Sequence, residues 1–152
     1  MQPEIRSADL RDLSTVQRIT ERAYAVWISV LGYPPQPVTD DHARRIARGE
    51  VLLACIRGEV VGLVIVESDV EDDLIFNVAV DPDYAGNGIG SRLIAEVEHR
   101  ARANGRSGMR LYTNALMSKN IALYSKLGYV ETGRRRHPAH ADSTIVDMAK
   151  SL

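Results

Sequence analysis

The sequence is poor in the residues on which several large classes of protein depend. Cys55 is the only cysteine among 152 residues, which excludes a disulfide within the chain and fits a reducing compartment, so a cytoplasmic protein is expected. Aromatic residues make up 5% and the net charge is −1, so neither a nucleic acid nor a membrane is expected as a partner. The longest apolar run, Val60–Val66, is too short to span a bilayer, and the beginning of the chain lacks the apolar segment of a secretory leader.

What is present predicts one α/β domain over residues 1–152. Hydrophobic residues make up 45% and charged residues 26%, which is enough for a real core. Strands are predicted at Pro3–Ser7, Val51–Ile56, Val60–Val66, Leu74–Val80, Met109–Ala115, Tyr129–Arg135 and Thr144–Ala149. Helices are predicted around Leu13–Leu31, after a cap at Thr39, from Ile89 onward and at Lys119–Leu127. The predicted order is βααβββαβαββ.

Three alternating glycines, Gly86, Gly88 and Gly90, lie between a predicted strand and a predicted helix. Glycines at this place let the backbone bend tightly and let several N–H groups point at one anion, which the positive end of the helix dipole also favours. The loop contains no lysine that could contact a γ-phosphate. This pattern therefore indicates a cradle for a pyrophosphate rather than a site of phosphate transfer.

Two familiar glycine motifs do not fit this loop. A P-loop needs Gly-Lys-Ser/Thr at its end, whereas this loop ends in Gly90-Ser91-Arg92. In a dinucleotide fingerprint the third glycine would fall at Ser91 or Leu93, and the next strand ends without a carboxylate. A nucleotide-binding oxidoreductase is therefore disfavoured, and an NADH titration would test it.

Two segments resemble the GCN5-related N-acetyltransferase (GNAT) family. Ala85–Gly90 is similar to the family's Gln/Arg-x-x-Gly-x-Gly/Ala loop, with Ala85 in place of the first residue. Asn120–Tyr129 is similar to its Asn-x-x-x-x-Tyr-x-x-x-Gly-Phe/Tyr segment. The resemblance implies a mixed central sheet with splayed strands and acetyl-CoA as cosubstrate. It also implies direct transfer of the acetyl group to an amine of a small molecule or peptide, and small members of the family often form homodimers.

The resemblance also implies roles for particular residues. Tyr124 would protonate the departing thiolate, and a backbone N–H near Val78 would stabilise the oxyanion. The backbone of the strand before the loop would pair with the pantetheine arm. The residues expected to contact acetyl-CoA are Val78, Ala79, Val80, Ala85, Gly86, Asn87, Gly88, Ile89, Gly90, Ser91, Asn120 and Tyr124. Asn120 is expected to cap its helix, to hydrogen-bond the pantetheine amides, or to do both.

The base and the acceptor are less well marked. Relatives often have a glutamate where this chain has Phe76-Asn77, so Glu67 is the remaining carboxylate candidate beside a path through water. The resemblance places the acceptor near the first helices, and the residues expected to bind it are Tyr24, Trp27, Tyr33 and Asn114. No metal site is expected, because the two histidines near the C-terminus lack further ligands. A sensor that binds acyl-CoA without turnover stays an alternative, because Ala85 and the missing glutamate depart from the family pattern.

Overall fold

The computed structural model describes residues 2–152 and contains seven strands and five helices in that range. The strands are β1 Glu4–Ser7, β2 Val51–Ile56, β3 Glu59–Ser68, β4 Asp72–Val80, β5 Gly108–Asn114, β6 Val130–Arg136 and β7 Thr144–Ser151. The helices are α1 Leu13–Leu31, α2 Gln36–Thr39, α3 His42–Ala47, α4 Ile89–Ala103 and α5 Ser118–Lys126. Two short 3-10 turns, Leu10–Asp12 and Pro82–Tyr84, precede α1 and α4.

The chain forms two compact units. The first unit contains the residues up to Glu67 together with Phe76–Val97, and the second contains Ser68–Ile75 and Glu98–Leu152. The chain passes from one unit to the other within β4 and within α4.

In the first unit the strands follow the order β1-β2-β3-β4. β1 pairs antiparallel with β2, and β2 pairs antiparallel with β3. Every residue of β2 is buried, because its side chains are apolar on both faces. A capping box precedes α1. The Asp9 carboxylate accepts a hydrogen bond from the Asp12 backbone N–H, and the Asp12 carboxylate accepts one from the Asp9 backbone N–H. Gly32 ends α1 in the left-handed conformation, with φ of 82°.

In the second unit the first residues of β4 run parallel to β5. Asp72–Ile75 pair with Gly108–Leu111, β5 pairs antiparallel with β7, and β7 pairs antiparallel with β6. The strand order is therefore β4-β5-β7-β6. All seven residues of β6 are exposed, since this strand forms an edge and carries mostly charged and polar side chains.

The predicted α/β fold class, with a mixed sheet and intervening helices, is confirmed. Strand bounds differ from the predicted ones by no more than two residues at either end, and α5 is shifted by one residue toward the N-terminus. Among residues 2–152, no helix has the length and apolar character needed to cross a membrane. A single domain over residues 1–152 stays a prediction.

The predicted cap at Thr39 is wrong. Thr39 is the last residue of α2, and the cap of α3 is Asp41, whose carboxylate accepts a hydrogen bond from the Arg44 N–H. Both residue types are good caps, so local preference did not distinguish them. The structure places a helical turn with proline near its start before the cap, which moves the beginning of α3 toward His42.

Candidate active site

The glycine loop lies between β4 and α4, entirely within the first unit. Gly86 and Gly88 have φ of 81° and 74°, a conformation that side chains with a Cβ rarely adopt. A Cβ built on either glycine would have no protein atom within 4 Å, so the space beside the loop is open. The Asn87 amide donates to the Tyr84 carbonyl oxygen at 3.0 Å, which fixes the bend. α4 then begins at Ile89, and the N–H groups of its first turn have no acceptors inside the helix.

The start of α4 approaches the sheet closely because β3 carries a glycine. A Cβ at Gly62 would lie 3.1 Å from Ile89 Cγ2 and 3.2 Å from the Ala79 carbonyl oxygen. Ile89 and Leu93 are buried, which fixes the first turn of the helix against β3 and β4. Gly62 is not among the residues predicted for the site, although an isolated glycine inside a strand is a known signal of close backbone approach.

Asp81 supports the loop from the end of β4. Its carboxylate is buried and accepts from the Asp83 N–H at 3.0 Å, which caps the turn Pro82–Tyr84. The same oxygen accepts from Arg22 of α1 at 2.7 Å, and Arg22 also reaches Asp83 at 3.4 Å. The entry to the glycine loop is therefore tied to α1 by a charged contact between residues 59 positions apart.

The strand before the loop alternates in burial. Val78 and Val80 are half-buried, whereas Ala79 between them is buried. This alternation is that of a strand with one face toward the core. The proposed roles of their backbone groups stay predictions.

The three aromatic residues predicted to line the acceptor site occupy different environments. Tyr24 is buried, and its hydroxyl donates to Asn77 Oδ1 at 3.0 Å. The Asn77 amide donates in turn to the Thr20 hydroxyl at 3.3 Å. Trp27 and Tyr33 are half-buried. The side chain of Asn77 is therefore a buried amide that is bound to α1.

Glu67 is part of an ion cluster in the first unit. Its Oε1 accepts from Arg45 at 2.5 Å, and Arg45 also binds Asp40 at 2.8 Å and Glu50 at 3.0 Å. The guanidinium lies 4.0 Å from the centre of the Phe76 ring. Burial works against the charge of Arg45, but the hydrogen bonds to the three carboxylates outweigh it and raise the pKa of Arg45.

The remaining predicted residues lie in the second unit. Asn114 is buried at the end of β5, and its Oδ1 accepts from the Leu116 N–H at 2.9 Å, which shapes the turn before α5. Met117, not Asn120, occupies the cap position of α5, and its side chain makes no capping bond. The capping role for Asn120 is therefore wrong. Asn120 is half-buried one turn before Tyr124, so the two side chains share a helix face.

Tyr124 is buried in α5. Burial raises the pKa of Tyr124 from 10.0 to about 12. The hydroxyl therefore keeps its proton throughout the neutral range and is available there as a hydrogen-bond donor.

Two other expectations concern groups without a proposed role. Cys55 is buried in β2, which fits an unreactive thiol. No group of three or more histidine, cysteine, aspartate or glutamate side chains suited to a metal ion occurs within residues 2–152.

A family model described as the acetyltransferase (GNAT) domain matches residues 47–131, which include the glycine loop, Asn120 and Tyr124. The chain is 26% identical over 133 residues to the [ribosomal protein bS18]-alanine N-acetyltransferase of Escherichia coli K12, covering 88% of this chain and 84% of that protein.

Solved structures show the same fold. The crystal structure of the ribosomal-protein-S18-alanine N-acetyltransferase from Escherichia coli matches with a TM-score of 0.79 and 25% identity, covering 99% of this chain and 94% of that one. The PaiA N-acetyltransferase from Thermoplasma acidophilum, solved in complex with coenzyme A, matches with a TM-score of 0.82 and 18% identity over the full length of both chains.

Proposed function

Since this chain belongs to the GNAT acetyltransferase family and is an N-acetyltransferase, we propose that it transfers the acetyl group of acetyl-CoA to a primary amine of a small molecule or a peptide. The observation that carries the proposal is the glycine loop. Gly86 and Gly88 take up positive φ beside open space and lead directly to the N-terminus of α4.

The loop fits a pyrophosphate by its own geometry. A side chain at Gly86 or Gly88 would occupy the open space next to the backbone, so glycine keeps that space available for a ligand. Unpaired N–H groups and the helix dipole both favour a negative charge there. When bound, acetyl-CoA supplies the activated acetyl group.

The reaction needs one new bond, one broken bond and one proton transfer. The acceptor nitrogen bonds to the carbonyl carbon, the bond from that carbon to sulfur breaks, and the proton lost by the amine is balanced by the one gained by the thiolate. In the proposed assignment the backbone N–H near Val78 stabilises the negative charge on the carbonyl oxygen. Cys55 takes no part, because its thiol is buried.

Tyr124 acts on the sulfur as a donor. A thiol has a pKa of about 8.5 in its ordinary state, well below the value of about 12 for Tyr124. Complete transfer of the phenol proton to a thiolate is therefore unfavourable at equilibrium. The larger contribution of Tyr124 is a hydrogen bond that strengthens as negative charge develops on the sulfur.

No buried carboxylate is assigned as the base in this proposal. Asn77 is an amide held by Tyr24 and Thr20, and Glu67 is bound to Arg45. In this proposal the proton of the amine leaves through water. The alternative is that the Glu67 carboxylate accepts it.

The acceptor is identified by measuring thiol release with a panel of amines. The panel contains amino acids, polyamines, aminoglycosides and peptides that begin with alanine, since the Escherichia coli relative is named for an alanine of a ribosomal protein. Amine-dependent thiol release supports the proposal. Tight CoA binding without release for any amine would favour the sensor alternative. A homodimer and a cytoplasmic location stay proposals.

A further inference from the structure

The second unit contains a charged cluster around a buried glutamate that the proposed reaction does not use. Glu98 of α4 is 6% exposed, and both of its carboxylate oxygens have partners. Lys150 Nζ of β7 donates to Oε1 at 2.9 Å, and the Tyr129 hydroxyl donates to Oε2 at 2.8 Å. Burial and the bond to Glu98 raise the pKa of Tyr129, so this hydroxyl stays a donor.

The cluster closes the C-terminal end of α5. Lys150 Nζ also donates to the Leu127 carbonyl oxygen at 2.8 Å, which is one of the helix-end acceptors left without a partner in the helix. Gly128 makes this contact accessible. It has φ of 99°, and a Cβ at this position would lie 3.3 Å from Lys150 Cε. The glycine therefore allows the left-handed turn after α5 and leaves room for the Lys150 side chain beside it.

The cluster also contacts Tyr124 directly. The Tyr129 and Tyr124 rings meet edge to face with centroids 6.3 Å apart, and the Tyr129 N–H donates to the Tyr124 carbonyl oxygen at 3.0 Å. A displacement of Tyr129 or of the end of α5 would therefore move the Tyr124 ring.

We propose that Lys150, Glu98 and Tyr129 are positioning residues that hold the end of α5, and with it the Tyr124 hydroxyl, in the orientation required for acetyl transfer. The inference rests on the proposed role of Tyr124. A buried ion pair contributes little net stability compared with apolar residues of the same size. The function that we propose for this pair is therefore to fix an orientation through directional hydrogen bonds. Every oxygen of Glu98 is engaged, so the group cannot shift without breaking a charged hydrogen bond.

The test is a double-mutant cycle with Tyr124→Phe. Tyr129→Phe removes one hydroxyl and keeps the ring, and we expect kcat to fall by about three- to tenfold with CoA affinity unchanged. Lys150→Met removes both charged contacts, and we expect a loss of about tenfold or more. Lys126→Met is the matched control, because Lys126 lies exposed in the last turn of α5. In the Tyr124→Phe background the two cluster variants should lower kcat no further.

Two outcomes separate this inference from the proposed function. If Tyr124→Phe keeps full activity, the role of Tyr124 fails. If Tyr124→Phe is slow and Tyr129→Phe lowers kcat by the same factor in both backgrounds, the positioning inference fails alone. Amide exchange gives a second reading without turnover, since the inference predicts faster exchange at Leu127 and Tyr129 in both cluster variants, and unchanged exchange would overturn it. Tyr129→Phe keeps the test available if Lys150→Met does not fold.

Discussion

Gly88→Val is the most informative single change in the glycine loop. The structure shows open space at the Cβ position of Gly88, so a valine would extend its branched side chain into the volume proposed for the pyrophosphate. We expect CoA affinity to fall at least tenfold, which corresponds to about 1.4 kcal/mol. Steric exclusion of the pyrophosphate and the loss of one or two N–H contacts to it both lower the affinity for CoA.

The same change also strains the backbone, so its effect on folding must be separated from its effect on binding. A residue with a Cβ in the left-handed region costs about 1–2 kcal/mol. Gly105→Val is the matched control, because Gly105 has φ of 76° against 74° for Gly88 and also has no protein atom within 4 Å of a built Cβ. Gly105 follows α4 at its other end, away from the loop.

Calorimetric titration of both variants with CoA gives the binding affinity, and denaturant unfolding of both variants gives the stability. We expect both variants to lose similar stability and only Gly88→Val to lose CoA affinity. Unchanged CoA affinity in folded Gly88→Val would refute the assignment of the loop. Equal losses of affinity in the two variants would show that general destabilisation explains the effect.

Four further predictions concern the proposed chemistry and the pKa of Tyr124. Tyr124→Phe should retain CoA binding in calorimetry and lose roughly 10²-fold in turnover, and full activity would leave Tyr124 with a packing role only. Glu67→Gln should lower the rate only a few-fold, compared with about 10²–10⁴ for a true general base, with Glu50→Gln as a control on the same arginine. The rate should rise with pH toward the pKa of the amine, and a bell whose acidic limb disappears in Glu67→Gln would identify Glu67 as the base. The raised pKa of Tyr124 predicts a stability contribution that is complete below pH 10.0 and is lost toward pH 12, amounting to roughly 3 kcal/mol. Between pH 9 and 11 the denaturant midpoint should fall less steeply in Tyr124→Phe than in the unsubstituted protein. Parallel curves for the two proteins would contradict the raised pKa of Tyr124.

Local sequence patterns predicted the fold well because most elements have strong local signals. The apolar runs of β2 and β4 and the glycines before α4 each mark an element without reference to the rest of the chain. The prediction of a cap at Thr39 failed for the same reason, since Thr39 and Asp41, two residues apart, are both suitable caps locally and only the turn of α2 distinguishes them.

The support of the site could not be predicted in the same way. Lys150 and Glu98 are 52 positions apart, and nothing in the residues around either indicates that they form a pair. The contact between Arg45 and Glu67, 22 positions apart, has the same character and engages the carboxylate that was the candidate for the base. Such contacts depend on the tertiary fold, whereas the glycine loop and the Tyr124 segment are contiguous and could be found directly.

The most direct test of the account is a single-turnover experiment with acetyl-CoA and enzyme in excess, quenched with and without an acceptor amine. We predict that without amine no burst of free thiol appears and the protein mass is unchanged. With amine, thiol and N-acetylated product should form in equal amounts. A thiol burst without amine, accompanied by an acetylated protein that then passes the group on, would contradict direct transfer. CoA binding without thiol release from any amine would contradict the proposed activity itself.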